Sequence, residues 1–360
     1  MCNVDGGWWI VDGLFEIVLG QTWSLIAVLL VGFVLLVKGA DWLVDGASAI
    51  AKRYNVSDLV IGLTIVAFGT SLPEFVVNMI SVSTGSTDLA ITNVLGSNTI
   101  NIFVILGCAA LIYPISSQAS CRHFDMPWNV LAGLLVIFFA TYTRPMYINW
   151  GSFGSFSTIG GFITGIGGVV LLICFAIFMW HNIKTATLKD RYAEGSAAPE
   201  GPKTAPAEGQ MSVRRAIGLI IGGLVGLVVG GEFIVRSATR IAVNAGVSEA
   251  IIGLTVVALG TSLPELATSC IAAAKKNVDI ALGNVVGSNI FNIFFILGSS
   301  AVIHYLPAYN GLWIDAAMVV LGSILIWAMV AGKKHRIERW HGAVLLLIYA
   351  LYLTYRLLSL

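Results

Sequence analysis

The chain has 360 residues, of which 57% are hydrophobic and 11% are charged, and its net charge is +1. A soluble globular protein carries about 25% charged residues, so this composition predicts an integral membrane protein. The near-neutral charge gives no indication of nucleic-acid binding. The five cysteines form no CxxC pair, so we expect neither a disulfide framework nor a bound cofactor. Nothing resembles the nucleophile–base pair of an enzyme, and no catalytic residue is assigned.

Residues 1–22 are the first segment with a distinct pattern. Asp5, Asp12 and Glu16 interrupt its apolar residues, whereas a signal peptide has a basic start and an uninterrupted apolar core. We therefore predict an amphipathic helix that lies at the membrane interface.

Ten later segments are long and apolar enough to span a bilayer, which takes about 20 residues. In chain order they are residues 24–50, 57–83, 87–113, 126–144, 158–182, 213–243, 247–274, 278–304, 311–332 and 338–358. The sequence thus predicts an all-α, polytopic membrane protein with ten transmembrane helices.

Residues 188–213 break this pattern, because they are rich in Ala, Pro, Gly and charged residues, a composition typical of a flexible polar linker. Five spans lie on each side of this segment. The predicted domains are a first five-helix repeat over 23–182, a linker over 183–212 and a second repeat over 213–360.

The distribution of basic residues predicts an orientation. With the N-terminus outside, most of the 20 Lys and Arg residues fall in loops on the cytoplasmic side, as the positive-inside rule requires. We expect a multi-pass protein of the cell (inner) membrane, with both termini outside and the linker in the cytoplasm.

An internal repeat is the strongest feature of the sequence. Residues 62–107 align without a gap with residues 253–298, and more than half of the aligned positions are identical. Because each half holds an odd number of spans, the second copy enters the membrane upside down. Inverted repeats around a site at the membrane midplane are typical of secondary transporters.

A proline breaks a helix in each copy of the repeat. Pro73 cannot donate a hydrogen bond to the carbonyl of Gly69, and the residues before it are pushed toward extended geometry. We expect residues 67–72 to lack helical hydrogen bonds, and Pro264 to free residues 258–263 in the same way. Carbonyls left unpaired in hydrocarbon are hard ligands for a cation. A kink used only for packing is the alternative.

Glu74 and Glu265 directly follow the two prolines. An ionised acid at the bilayer centre costs at least ~2.5 kcal/mol, and neither span contains a Lys or Arg. Two carboxylates brought together by the symmetry would repel each other. One divalent cation, two monovalent cations or two protons would relieve both costs, so the protein would change conformation mainly when loaded. Two protonated glutamates without a transport role are the alternative.

A polar stripe at intervals of four residues accompanies each glutamate. It comprises Asn93, Ser97 and Asn101 in the first copy and Asn284, Ser288 and Asn292 in the second. This spacing places each set on one face of a helix, where it could supply neutral oxygens or pack against a neighbouring helix.

Two other acids are expected to have structural roles. Asp41 lies three residues after Lys38, and Glu232 lies four residues before Arg236. Pairs at these spacings meet on one face of a helix, so we predict local ion pairs.

The repeated "GTSLPE" and "GSN..N" motifs resemble the calcium/cation antiporter superfamily, and most of all its prokaryotic sodium/calcium exchangers, which are related to the potassium-dependent kind. The resemblance implies four central ion sites in a diamond, around which the first and sixth spans slide. It implies that Ca²⁺ binds Glu74 and Glu265 with the carbonyls of Thr70 and Thr261. The other ligands that it implies are the carbonyls of Ala67 and Ala258 and the side chains of Ser71, Ser262, Ser97, Ser288, Asn101 and Asn292.

One departure from that family leaves the counter-ion open. Many sodium exchangers carry an aspartate in one copy where this chain has Asn101 or Asn292. Two acids balance one Ca²⁺ or two H⁺ without remainder, whereas three Na⁺ would leave excess positive charge. Exchange of Ca²⁺ for Na⁺, which the resemblance implies, is the leading hypothesis, exchange for H⁺ is the alternative, and K⁺ dependence is open. A passive cation channel is a third hypothesis. The expected partners are cations and the lipid bilayer, and the oligomeric state stays undetermined.

Overall fold

A computed structural model describes residues 22–142, 162–195, 211–246, 258–309 and 311–358. The helices of these ranges are α1 (Thr22–Arg53), α2 (Asp58–Thr70), α3 (Leu72–Ser83), α4 (Thr87–Ile112), α5 (Cys121–Asp125 continued by Met126–Tyr142), α6 (Gly165–Gly195), α7 (Val213–Asn244), α8 (Ala258–Thr261), α9 (Leu263–Ala274), α10 (Val278–Ile303), α11 (Leu312–Ala331) and α12 (Arg339–Leu358). The predicted all-α fold is confirmed. The interfacial helix predicted for residues 1–22 lies outside the described residues, apart from Thr22.

Among the described residues, eight helices are long and apolar enough to cross a membrane, and the bent pair α2–α3 makes a ninth span. These correspond to nine of the ten predicted spans. The remaining one, predicted over 247–274, is described only from residue 258, where α8 and α9 lie. The count of ten spans therefore stays a prediction.

The helix α6 continues beyond the end that the sequence predicts for it. Residues 183–195 are helical, although the linker was expected to begin at 183. These residues include two Lys and two Ala, which favour helix even where the chain is polar. The helix α7 begins at Val213, and the Ser212 side chain caps it by accepting from the Arg215 N–H at 3.3 Å.

The helices α1 and α7 pack antiparallel with their backbones in close contact. A β-carbon at Gly39 would lie 2.7 Å from the Gly223 carbonyl oxygen, and one at Gly223 would lie 2.7 Å from the Gly39 carbonyl oxygen. The same closeness recurs seven residues away, between Gly32 and the Gly230 carbonyl. Small residues allow this approach in a membrane, so the first helix of one half pairs with the first helix of the other.

Gly223→Ala is expected to lower the melting temperature, because its methyl group would collide with the α1 backbone and overpacking costs about 1–3 kcal/mol. Gly222→Ala on the same helix is the matched control, since its β-carbon would lie 3.7 Å from the Trp42 ring, an ordinary contact. Thermal unfolding of both variants in detergent measures the difference. Equal melting temperatures would contradict the close packing.

Two short antiparallel ribbons join the halves. The strand β1 (Ile115–Ser116), which precedes α5, pairs with β4 (Arg336–Ile337), which follows α11. The strand β2 (Phe162–Ile163), which precedes α6, pairs with β3 (Leu306–Pro307), which precedes α11. Hence α5 and α11 run antiparallel with a ribbon at each end. The fifth span, predicted from residue 158, begins as a helix only at Gly165 because residues 162–163 are used in this pairing.

The most buried helices lie at the centre of the bundle and carry the polar stripes. The apolar window of α10 is 94% buried and that of α4 is 72% buried, whereas that of α12 is 11% buried. Large apolar side chains are exposed on the outer helices, for example Trp180 and Leu351. This arrangement is inverted relative to a soluble protein and fits an apolar solvent around the bundle.

Candidate cation-binding site

Each repeat breaks at the serine two residues before the proline. Ser71 adopts φ −87°, ψ 9° and Ser262 adopts φ −89°, ψ 6°, and each separates two helices. The first pair, α2 and α3, is bent by 46°. The break is therefore present in both copies. In each copy it lies two residues before the proline that precedes the glutamate.

The prediction of a longer unhelical stretch over 67–72 is wrong. Ala67–Thr70 is helical, and the Ser71 N–H donates to the Ala67 carbonyl at 3.1 Å. The physical reason is that a proline removes only its own hydrogen bond and is tolerated in the first turn of a new helix. The Ala67 carbonyl also accepts from the Thr70 hydroxyl at 3.3 Å, so it already has two partners.

The two glutamates lie in the first turns of α3 and α9, where the helix dipole favours a negative charge. Glu74 and Glu265 are each only 1% exposed. The Ser71 hydroxyl donates to Glu265 Oε1 at 2.7 Å, and the Ser262 hydroxyl lies 3.4 Å from Glu74 Oε1. Each carboxylate thus contacts the serine at the break of the other repeat, and the two motifs face each other across the interface between the halves.

Each carboxylate keeps one oxygen unpaired. Glu74 Oε2 and Glu265 Oε2 are buried without a hydrogen-bond partner. Within the described part of the chain, neither glutamate forms an ion pair with Lys or Arg. A buried charge without a partner is costly, so this pair is suited to binding positive charge.

Neutral oxygens without partners accompany the glutamates. They belong to the Ser97, Ser288 and Thr261 hydroxyls and to the Asn101 and Asn292 side-chain amides. Buried polar groups in proteins are nearly always paired, so these atoms are candidates to bind a ligand. Among the described residues, unpaired side-chain atoms also occur at Asn129, Ser237, Thr239, Thr268 and Asn289. Oxygen donors of this kind suit Na⁺ and Ca²⁺. No group of three or more His, Cys, Asp or Glu occurs among the described residues, so the acidic donors are this one pair.

Two further residues, Asn78 and Ser269, which sequence reasoning did not assign to the site, hold the polar stripes in place. Asn284 donates to the Glu265 carbonyl at 3.3 Å and to the Ser269 hydroxyl at 2.9 Å. Its amide oxygen accepts from the Thr70 hydroxyl at 3.1 Å. In the first copy, Asn93 donates to Asn78 at 2.7 Å. Asn78 and Ser269 lie one helical turn after the glutamates, a spacing that could have identified them.

The central asparagines differ between the copies. Asn292 donates to the Asn98 amide oxygen at 3.1 Å, whereas both amide atoms of Asn101 are unpaired. Both lie in π-helical turns, over Asn101–Ile105 and Phe291–Leu297. Such turns are rare in proteins, and those that occur are often found at functional sites. Sequence reasoning did not predict them.

Among the remaining sequence-predicted ligands, Thr70 and Ser71 are fully buried and Ser262 is 1% exposed. Ala258–Thr261 is helical as well, so the expectation that residues 258–263 lack helical hydrogen bonds is also wrong. The side chain of Ala258 is not among those described. The described hydrogen bonds join each glutamate to the serine of the other repeat, and Thr70 to Asn284. Broken helices from inverted halves, with acidic side chains meeting between them, are the arrangement of secondary transporters, the class that the fold and the site define.

Comparisons with known proteins identify the family. A family model described as sodium/calcium exchanger protein matches residues 24–184 and 215–358. The chain is 36% identical over 323 residues to the uncharacterized membrane protein MJ0091 of Methanocaldococcus jannaschii, covering 89% of this chain and 94% of that protein. It is 31% identical over 337 residues to the sodium/calcium exchanger MaX1 of Methanosarcina acetivorans, covering 91% and 96%.

A solved structure agrees with these matches. The sodium-calcium exchanger NCX_Mj superposes with a TM-score of 0.72 at 32% identity, over 93% of this chain and 99% of that one. The chain therefore belongs to the sodium/calcium exchanger family. This confirms the resemblance seen in the motifs, and it supports a transporter over an enzyme.

Proposed function

We propose that the chain is a secondary active antiporter that moves Ca²⁺ in exchange for Na⁺ by alternating access around the site between Glu74 and Glu265. The observation that carries this proposal is the pair of buried carboxylates, each with one unpaired oxygen and no basic partner among the described residues. One Ca²⁺ neutralises the pair, whereas the empty pair keeps two repelling charges in a dry site. The named exchangers among the relatives support the choice of Na⁺ and Ca²⁺.

In this proposal, Ca²⁺ binds the two glutamates with the carbonyls of Thr70 and Thr261. Na⁺ binds the remaining oxygens, which are the Ala67 and Ala258 carbonyls and the side chains of Ser71, Ser262, Ser97 and Ser288, with Asn101 and Asn292 at the centre. The close backbone contact of α1 and α7 suits a pair that slides as one unit past the rest. The membrane is the cell (inner) membrane, with both termini outside and the linker in the cytoplasm.

Ca²⁺ efflux from proteoliposomes tests this function. Vesicles loaded with Ca²⁺ are diluted into Na⁺ buffer without a pH gradient, and into Na⁺-free buffer with a pH gradient. We expect efflux under the Na⁺ gradient, including uphill movement of Ca²⁺. Downhill movement alone under every gradient would indicate a passive channel and would contradict the proposal.

Exchange of Ca²⁺ for H⁺ is the second candidate, and one observation favours it. The site holds two acids, with the amides of Asn101 and Asn292 at its centre and no third carboxylate among the described residues. Two protons or one Ca²⁺ would leave it neutral, whereas three Na⁺ would leave it positively charged. Efflux that occurs only under the pH gradient would favour exchange of Ca²⁺ for H⁺ and would contradict exchange for Na⁺.

Asn101→Asp is expected to strengthen the dependence on Na⁺. The amide of Asn101 has no hydrogen-bond partner, so an aspartate would add a third negative charge without breaking a hydrogen bond, and it would favour an additional monovalent cation. We expect a larger Hill coefficient for Na⁺ in Ca²⁺ efflux.

Asn292→Asp is the comparison for this variant. It adds the same charge but removes the amide donor to Asn98, so we expect the same change in Na⁺ dependence together with a lower melting temperature. An unchanged Hill coefficient in both variants would contradict the central position of the two asparagines.

A further inference from the structure

Two buried aspartates occupy equivalent places in the two halves. Asp125 ends the π-helical turn that begins α5, the fourth predicted span of the first half. Asp315 lies in the first turn of α11, the fourth predicted span of the second half. They are 2% and 4% exposed. Because α5 and α11 run antiparallel, the two aspartates lie at opposite ends of the bundle.

In the second half, the negative charge of Asp315 has a basic partner and two hydrogen-bond donors. Asp315 accepts hydrogen bonds from the hydroxyls of Tyr309 and Tyr352, the latter at 2.7 Å. The guanidinium of Arg356 lies 3.5 Å away and forms an ion pair with it. Tyr352 and Arg356 are four residues apart on α12, so one face of that helix supplies both a donor and a positive charge.

The first half lacks both of these partners. Near the end of the apolar part of α6, Gly165–Thr185, Phe178 and Asn182 are also four residues apart, but phenylalanine has no hydroxyl and asparagine has no charge. Asp125 receives one long hydrogen bond, from Asn182 Nδ2 at 3.4 Å. It forms no ion pair with any described Lys, Arg or His. Lys184, further along α6, lies over the Trp180 ring at 4.8 Å.

A cavity of about 20 Å³ lies beside Asp125. Besides that carboxylate, its oxygen-bearing lining residues are Ser57, Ser120, Asn182 and Thr185. A volume of this size holds one water-sized occupant. His181 also lines the cavity, and its ring stacks on that of Phe124 at 3.6 Å.

We propose that one alkali cation, Na⁺ or K⁺, binds in this cavity against Asp125, in the role that the Arg356 guanidinium has beside Asp315. A single carboxylate with neutral hydroxyl and amide oxygens matches one monovalent charge, and a divalent ion would leave a positive charge uncompensated. The residues of this site are separate from those of the Glu74–Glu265 site. The bound cation stabilises the contact between the start of α2, the start of α5 and the end of the apolar part of α6.

The test measures thermal stability in a background without the central carboxylates. In Glu74→Gln/Glu265→Gln protein in detergent, replacing 100 mM choline chloride by NaCl or KCl is expected to raise the melting temperature by about 2 °C. Adding Asp125→Asn is expected to abolish this rise. The choline salt keeps the ionic strength constant, and gel filtration shows that each variant is folded.

Asn182→Arg in the same background is the second variant. It gives the first half the cation that the second half has, so the melting temperature is expected to become independent of NaCl and KCl. The proposal is overturned if alkali cations leave the parent protein unchanged, if the rise survives Asp125→Asn, or if only MgCl₂ or a lower pH produces it. In the last case a proton neutralises Asp125.

Discussion

Glutamine in place of Glu74 or Glu265 is expected to lower Ca²⁺ transport in proteoliposomes by about 100-fold, because truncating one partner of a buried charged contact costs about 3 kcal/mol. Both carboxylates are buried, and each has an oxygen without a hydrogen-bond partner. The substitution keeps the shape of the side chain and removes the repulsion between the two acids. The melting temperature of the empty protein is therefore expected to stay the same or rise.

Glu338→Gln is the control for this loss. Glu338 lies outside the membrane-spanning helices, where hydrogen bonds from Arg336 and Lys334 hold its pKa below the ordinary value of a glutamate. Transport by this variant is expected to equal that of the parent protein. Undiminished Ca²⁺ transport by both buried-site variants would refute the proposed ligands.

Asp315→Ala is expected to have the largest effect on stability. It removes the carboxylate that pairs with Arg356 and accepts from the Tyr309 and Tyr352 hydroxyls. Loss of one member of a buried ion pair costs about 3–5 kcal/mol, since the remaining charge is left buried. Thermal and denaturant unfolding in detergent measure this difference.

Glu338→Ala provides the comparison, because Glu338 pairs with Lys334 and Arg336 outside the membrane-spanning helices. Surface ion pairs of this kind contribute little to stability, so the unfolding free energy of this variant is expected to stay close to that of the parent protein. If both variants unfold with the same free energy, the network around Asp315 does not hold the two helices α11 and α12 together.

Local patterns in the sequence predicted the membrane spans, the helix breaks and one ion pair within a helix. Hydropathy over about 20 residues gave nine spans that the structure describes, because the solvent acts on each helix separately. The repeat and its prolines located the breaks near Ser71 and Ser262, since a proline acts on the chain directly before it. The pair of Glu232 and Arg236 was also predicted, because both partners lie on one helix.

Contacts between distant parts of the chain were decided by the tertiary structure. Asp41 was expected to pair with Lys38, but its carboxylate lies 2.7 Å from Lys275, since the packing of α9 against α1 brings that lysine to it. The hydrogen bonds between each glutamate and the serine of the other repeat also join residues that are far apart in the chain.

The sequence by itself thus determined which residues enter the membrane and which acids have no local partner, because hydropathy and helix geometry act over a few turns. Only the tertiary structure decided which of those acids acquire a distant partner. Asp315 meets Arg356, Asp125 meets the neutral Asn182, and Glu74 and Glu265 each keep an unpaired oxygen. The reason is that pairing of a buried charge depends on helices that are adjacent in space and far apart in the chain.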